Sequence, residues 1–147
     1  MTRIDFHFNL VDRLDYGCRL ARKIVRAGER AVFWCPDHSL LAQWDTLLWT
    51  FSNTDFVPHV RIDDKIAAQT PIVFTAEAPE QPDRAILVSL AAQSEQPTVH
   101  FSRFERLIEL VSTDPADRAL ARARWRFYRE RGYPIHTHEV ATPRSAT

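Results

Sequence analysis

Alternating apolar and polar residues at the start of the chain predict a strand that is followed by a helix. Residues 3–9 place apolar side chains at every second position, the pattern of a strand with one buried face. Asp12 is a helix-capping residue, and apolar residues then recur at helical spacing as far as Ala27. Gly28 stands where a left-handed helix cap is usual. We therefore predict a strand and then a helix that ends before Gly28.

The next two elements predict a buried strand and a helix with an unusual tryptophan. The apolar run 31–35 is typical of a strand covered on both faces in a parallel sheet. Residues 38–51 form a second predicted helix with a broad apolar face. Trp49 lies on its polar side, nearly opposite the middle of that face, and Phe56 follows after a polar turn. Exposed tryptophan is uncommon, so this aromatic surface invites a functional explanation.

The second half of the chain predicts further strands. Residues 71–75 and 85–90 fit strands, and the polar, proline-bearing segment 77–83 predicts an exposed hairpin loop between them. The apolar spacing of 106–111 fits either a strand or a helical turn, and periodicity does not decide between them. A hairpin within a parallel arrangement predicts a mixed sheet.

This order of strands and helices predicts the fold class. Alternating strands and helices imply right-handed crossovers, so we expect an α/β fold: three α/β/α layers around an open, mostly parallel but mixed sheet. The fold is Rossmann-like without a nucleotide loop, because the three glycines, Gly17, Gly28 and Gly132, belong to no phosphate-binding fingerprint. The length of 147 residues is that of one domain, which we assign to 1–140, with a flexible polar tail over 141–147.

Composition restricts the classes of function. Lys+Arg 19 against Asp+Glu 19 gives a formal net charge of +0, so the chain lacks the positive field of a protein that mainly grips phosphate backbones. Two cysteines do not make a disulfide framework, and no run of residues has the length and apolar character of a membrane span or signal peptide. We expect a cytoplasmic protein that does not bind membranes.

The sequence gives little support for a catalytic or metal site. His136 and His138 would share one face of a strand, but two surface histidines near a terminus are the better interpretation of so short a pattern. Ser39 and Ser89 lack the context of a nucleophile, and Cys35 in an apolar run is expected in the core. We predict no catalytic residue, no metal and no cofactor, and we do not expect an enzyme.

The last predicted helix, 114–132, has the most informative charge pattern. At about 100° per residue, four arginines fall within roughly a quarter-turn of one another, with Trp125 among them. Small or apolar residues occupy the other side, which we expect to be buried. The arginine stripe consists of Arg118, Arg122, Arg126 and Arg129, and the opposite side of Ala116, Leu120, Ala123 and Phe127. The stripe suits an acidic and apolar ligand, although a solvated charged face would show the same pattern.

Two blocks of sequence carry a resemblance to a known family. The first is LLW at 47–49 followed by FVPH at 56–59, and the second is ARARWRFYR at 121–129 with Gly132 after it. In this order and at this chain length, they resemble the chi subunit of the bacterial DNA polymerase III holoenzyme. The likeness extends over most of the chain.

The resemblance implies an adaptor with two binding surfaces. Chi subunits are non-catalytic members of the clamp-loader assembly that pair with the psi subunit. They also bind the C-terminal tail of single-stranded DNA-binding protein, which is acidic and ends in phenylalanine, and so reach DNA only indirectly. By this resemblance, Trp49 and Phe56 belong to the psi surface, and the residues of the tail site are Val111, Arg118, Arg122, Trp125 and Arg126.

Two other functions stay open from the residues alone. Arg122, Arg126 and Arg129 could hold phosphates while Trp125 stacks on a base, which would make the chain a direct single-stranded nucleic-acid-binding module. A degenerate nucleotide-binding enzyme on an α/β sheet is the third possibility, and the missing glycine loop argues against it.

Overall fold

Seven parallel strands form one sheet in the part of the chain that the computed structural model describes, residues 1–52, 56–80 and 83–140. The strands are β1 (Arg3–Leu10), β2 (Ala31–Trp34), β3 (His59–Arg61), β4 (Ile72–Thr75), β5 (Ile86–Ser89), β6 (Arg106–Ser112) and β7 (Ile135–Glu139). Their order in the sheet is β3-β4-β2-β5-β6-β1-β7. The described helices are α1 (Arg13–Arg26), α2 (His38–Thr50) and α3 (Pro115–Glu130), with short 3-10 turns at Ala67–Gln69 and Phe101–Arg103.

Local capping chemistry sets the helix ends. The Asp12 side chain accepts a hydrogen bond from the backbone N–H of Asp15 at the start of α1, and Asp37 caps α2 in the same way. Pro115 occupies the first turn of α3. Gly28 follows α1 at a φ of 72°, a conformation that favours glycine. The predicted helices are thereby confirmed, with ends that differ by one or two residues.

The sheet lies between two helical layers. Helices α1 and α2 cover one face, where their apolar residues pack in one core cluster. Helix α3 and the turn Phe101–Arg103 cover the other face. Strand β6 shows the alternation: Leu107 and Val111 belong to the core on the α3 side, whereas Ile108 and Leu110 belong to the core on the α1 side. The predicted three-layer α/β/α architecture is confirmed.

The predicted hairpin between 71–75 and 85–90 is wrong. Strands β4 and β5 do not pair with each other; they lie on either side of β2, and both run parallel to it. Because β2 is buried along its whole length, it takes an interior position with a partner on each side, as parallel strands do. Every observed strand pairing is parallel, so the described sheet is not mixed.

Several other expectations are settled by the strand assignments. The ambiguous segment at 106–111 is a strand. Cys35 lies in the core, as predicted. Residues 81 and 82 of the proposed loop, and the predicted flexible tail at 141–147, lie outside the described residues. None of the described helices combines the length and apolar character that crossing a bilayer requires.

Candidate functional site

A buried ion pair fixes the rotation of α3 against the sheet. Arg124 donates a hydrogen bond from Nε to Oε1 of Glu109 on β6 over 2.7 Å, and from Nη1 to the carbonyl oxygen of Ser94 over 2.7 Å. The Tyr128 hydroxyl donates to Oε2 of the same carboxylate over 2.5 Å. Burial and the Glu109 carboxylate raise the pKa of Tyr128 far above its usual range, so this hydroxyl stays a donor at neutral pH. The middle of α3 is therefore held by polar partners.

This rotation corrects the predicted buried side of the helix. The side chains of α3 that are buried are Asp117, Ala121, Arg124 and Tyr128. The predicted buried side of α3 is therefore wrong. Its four residues are exposed or only partly buried: Ala116, Leu120, Ala123 and Phe127. The spacing of apolar residues does not reveal the buried face of α3, because two of the four buried residues, Asp117 and Arg124, are charged. Asp117 accepts hydrogen bonds from the backbone and side chain of Ser112 and pairs with Arg13 over 3.0 Å.

A pocket of about 200 Å³ lies between α3 and the part of the sheet formed by β1, β6 and β7. Strand β1 supplies an apolar floor, and α3 supplies a basic and aromatic wall. In the sheet, Phe6 is aligned with Glu109 on one side and with Thr137 on the other. The residues lining the pocket are Phe6, Phe8, Val111, Arg118, Ala121, Arg122, Trp125 and Thr137.

The structure brings together four of the five residues predicted for the tail site. Val111, Arg118, Arg122 and Trp125 all line this pocket. Arg126 lines a second, larger cavity of about 440 Å³ together with Arg129 and Glu130. Trp125 lines both cavities, so its indole stands between them.

The pocket carries positive charge without compensating carboxylates. Arg118, Arg122 and Arg126 are exposed, and no carboxylate of the described residues forms an ion pair with any of them. The guanidinium carbon of Arg129 lies 5.1 Å from the centre of the Trp125 ring, at cation–π distance. Guanidinium groups beside an apolar floor can hold an anion and an apolar group at the same time.

The floor of the pocket could not be predicted from the sequence. The alternation of Ile4, Phe6 and Phe8 shows that they share a face, but it does not say which helix covers that face. Thr137 was missed because β7 has no apolar alternation, and four of its five residues are exposed. The sequence places His136 and His138 on one face of a strand here, but it does not indicate that this strand borders the pocket.

A second surface is formed by aromatic rings at the end of α2. Trp49 is 54% exposed and Phe56 is 66% exposed, so the predicted position of Trp49 on the polar side of its helix is confirmed. Their ring centres lie 5.3 Å apart. Beneath them, the buried ring of His59 lies 4.6 Å from that of Trp49. Two adjoining exposed aromatics of this size are typical of a protein-binding surface.

The histidines and cysteines considered for catalysis or metal binding do not form a site among the described residues. His136 and His138 are both exposed, and His138 Nε2 lies 3.6 Å from Asp5 Oδ1. Among the described residues, no group of three or more potential ligands is arranged to hold a metal ion. Cys18 and Cys35 are buried free thiols, and burial raises the pKa of Cys18 to about 12. This thiol is therefore protonated at neutral pH and is a poor nucleophile.

Comparison with known proteins points to one family. The family described as DNA polymerase III chi subunit, HolC, matches residues 1–136. The chain is 34% identical to the DNA polymerase III subunit chi of Pseudomonas aeruginosa over 144 residues, which cover 95% of this chain and 98% of the relative. It is 28% identical to that of Haemophilus influenzae over 127 residues, 86% of each chain. It is 25% identical to that of Escherichia coli over 121 residues, 82% of this chain and 80% of the relative.

Proposed function

The chain belongs to the family of DNA polymerase III chi subunits, and from this premise we propose that it is a non-catalytic accessory subunit of the clamp-loader assembly. It binds the psi subunit and the acidic C-terminal tail of single-stranded DNA-binding protein. In this way it links the replicase to coated template DNA in the cytoplasm without gripping the DNA itself. No cofactor takes part.

The observation that carries the proposal is the pocket beneath α3. Arg118 and Arg122 stand at its wall without carboxylate partners among the described residues. Phe6 and Phe8 form an apolar floor on the opposite side. A peptide that ends in phenylalanine offers a carboxylate and a phenyl ring on one residue, so a single residue can use both parts of the pocket.

The chemistry of each contact follows from the residue types. Arg122 can hold the terminal carboxylate through two parallel N–H···O hydrogen bonds, while the phenyl ring packs between Trp125 and the floor. Charge-assisted hydrogen bonds contribute about 1.5–3 kcal/mol each, so a few of them with one buried ring support micromolar binding. Arg126, on the far side of Trp125, can meet an acidic residue further up the tail.

The psi surface is assigned to Trp49 and Phe56. Both side chains are more than half exposed and contact each other. Large aromatic anchors contribute much of the binding energy of protein interfaces. This surface lies on α2 and the segment after it, whereas the tail pocket lies against α3.

A titration with synthetic peptides tests the proposal. We expect an acidic peptide that ends in phenylalanine to bind with micromolar affinity, and the same peptide without that residue to lose binding. A peptide with an amidated C-terminus should also bind more weakly, because Arg122 then loses its anionic partner. Added salt should weaken binding throughout.

A single-stranded oligonucleotide of similar charge serves as the competing ligand in the same experiment. Direct nucleic-acid binding through Trp125 and the arginine stripe predicts preference for the oligonucleotide and indifference to the terminal phenylalanine. That result would replace the adaptor with a nucleic-acid-binding module.

A further inference from the structure

A buried histidine supports the exposed aromatic surface from below. His59 lies on β3, and its ring is covered by three aromatic rings and one carboxylate. The ring centres of Trp49, Phe74 and Trp44 lie 4.6, 6.1 and 6.2 Å from it. The remaining contacts are polar and involve both ring nitrogens.

Both nitrogens of His59 face hydrogen-bond acceptors. Nδ1 lies 2.7 Å from the carbonyl oxygen of Val57. Because a carbonyl oxygen only accepts, Nδ1 must carry a proton. Nε2 lies 2.9 Å from Oδ1 of Asp45. An ionised carboxylate also only accepts, so a second proton must lie between Nε2 and Asp45.

Besides Asp45, no titratable group on the described elements around the ring is placed to share this second proton with His59. The titratable residues of α2 are His38 and Asp45, and β4 has none. The one other charged residue of β3 is Arg61, which pairs with Asp63. Among the described residues of these elements, Asp45 is thus the group that faces the His59 ring at ion-pair distance.

We propose that His59 is a positioning residue for Trp49, and that the proton shared with Asp45 holds the Trp49 and Phe56 surface in its binding geometry. The imidazolium lies against the indole ring, where a cation is attracted by the ring face. When the proton is lost, a nitrogen lone pair and a carboxylate oxygen face each other across 2.9 Å. Their repulsion separates the pair and removes the support beneath Trp49.

The first part of the test uses the isolated protein and does not depend on psi. NMR of the histidine ring nitrogens, assigned with His59→Gln, should show a proton on each ring nitrogen of His59 in the folded protein. The indole N–H signal of Trp49, assigned with Trp49→Phe, should move as the shared proton is removed. A wild-type His59 ring that keeps one unprotonated nitrogen while the Trp49 signal holds its position would overturn the proposal.

Two substitutions of one residue separate positioning from general stability. In Asp45→Asn, the amide can donate to an unprotonated Nε2, so the geometry is kept without the shared proton. The Trp49 signal of this variant should no longer follow pH. Asp45→Ala removes the partner altogether, so Trp49 should be displaced at every pH. A Trp49 signal in Asp45→Asn with the wild-type pH dependence would refute the role of the proton.

The second part measures psi binding and rests on the proposed function. Wild-type affinity should fall about tenfold when the shared proton is removed, whereas the affinity of Asp45→Asn should change by less than about twofold over the same conditions. Asp15→Asn on α1, which removes a partly exposed carboxylate paired with Arg19, should keep the wild-type profile. If psi does not depend on Trp49, the psi assignment fails, while the NMR result still decides the role of His59.

Discussion

Arg124 of α3 and Glu109 of β6 form an ion pair of 2.7 Å in which both side chains are buried. This pair decides which side of α3 faces the sheet. With Arg124 turned inward, Arg118 and Arg122 remain exposed, and Trp125 stands at the mouth of the pocket. A charged residue in the core thus determines which arginines are available to a ligand.

Removing one member of this pair should destabilise the fold strongly. We expect Arg124→Leu to lower the free energy of unfolding by about 3–5 kcal/mol, because Glu109 then keeps a buried charge with only Tyr128 as a side-chain donor. Urea unfolding measures the change. The control Arg126→Ala removes an exposed arginine from the same helix and should alter stability by less than about 0.5 kcal/mol. A loss below about 1 kcal/mol for Arg124→Leu would show that the pair does not anchor the helix.

Arg122→Ala should weaken binding of the phenylalanine-terminated acidic peptide at least about tenfold, because it removes the guanidinium assigned to the terminal carboxylate. Arg131→Ala is a matched control: it removes the same charge, but its guanidinium lies over Phe127, outside the pocket. Calorimetric titration of both variants measures the difference. Equal losses would mean that the peptide responds to overall charge and not to this site.

Trp49→Ala should weaken psi binding at least about tenfold while leaving peptide binding unchanged, because it removes an aromatic anchor far from α3. Val99→Ala serves as the control, since Val99 is also a largely exposed apolar residue. A pull-down against both partners gives the comparison. Loss of both partners from Trp49→Ala or from Arg122→Ala would contradict the assignment of two separate surfaces.

His7 should make stability depend on pH in the acidic range. Burial lowers the pKa of His7 to about 4, helped by neighbouring His138 and opposed by Asp5. The unfolded chain takes up a proton near pH 6.5, the ordinary histidine value of about 6.5, whereas the folded chain does so only near about 4. Stability is therefore unaffected above about pH 6.5 and is lost as pH falls toward about 4, by on the order of 3 kcal/mol in all.

Urea unfolding of His7→Gln at neutral and acidic pH isolates this contribution. At about pH 5 the variant should have lost about 2 kcal/mol less than the wild type, each measured against its own stability at about pH 7. His136→Gln, which changes an exposed histidine, should follow the wild type. An acid-induced loss that is the same in His7→Gln and in the wild type would exclude His7 as the cause.

Local signals predicted much of this fold. Asp12 caps the start of α1 with a side-chain hydrogen bond to the backbone, and Gly28 ends the helix with a positive φ. Neither effect needs a distant partner. The exposure of Trp49 followed from the angular position of one residue on a helix with a clear apolar face. These predictions hold because the interactions concerned lie within a single element.

Long-range interactions account for what the sequence did not predict. The inward position of Arg124 depends on Glu109, fifteen residues earlier in the chain, and helical periodicity contains no sign of that partner. The pairing of β4 and β5 with β2 depends on competition among similar apolar strands. Phe8 could be assigned to the pocket floor only once α3 was known to cover its face of the sheet. Each of these required knowledge of how separate elements meet.

The order of the strands sets a distance between the two proposed binding surfaces. Trp49 contacts His59 of β3, the strand at one edge of the sheet, and Thr137 lies on β7, the strand at the other edge. Neighbouring strands are about 4.8 Å apart, so seven of them extend across roughly 29 Å. Helices α2 and α3 also lie on opposite sides of this plane. The sheet therefore separates the two proposed binding surfaces, which lie on opposite faces and near opposite edges.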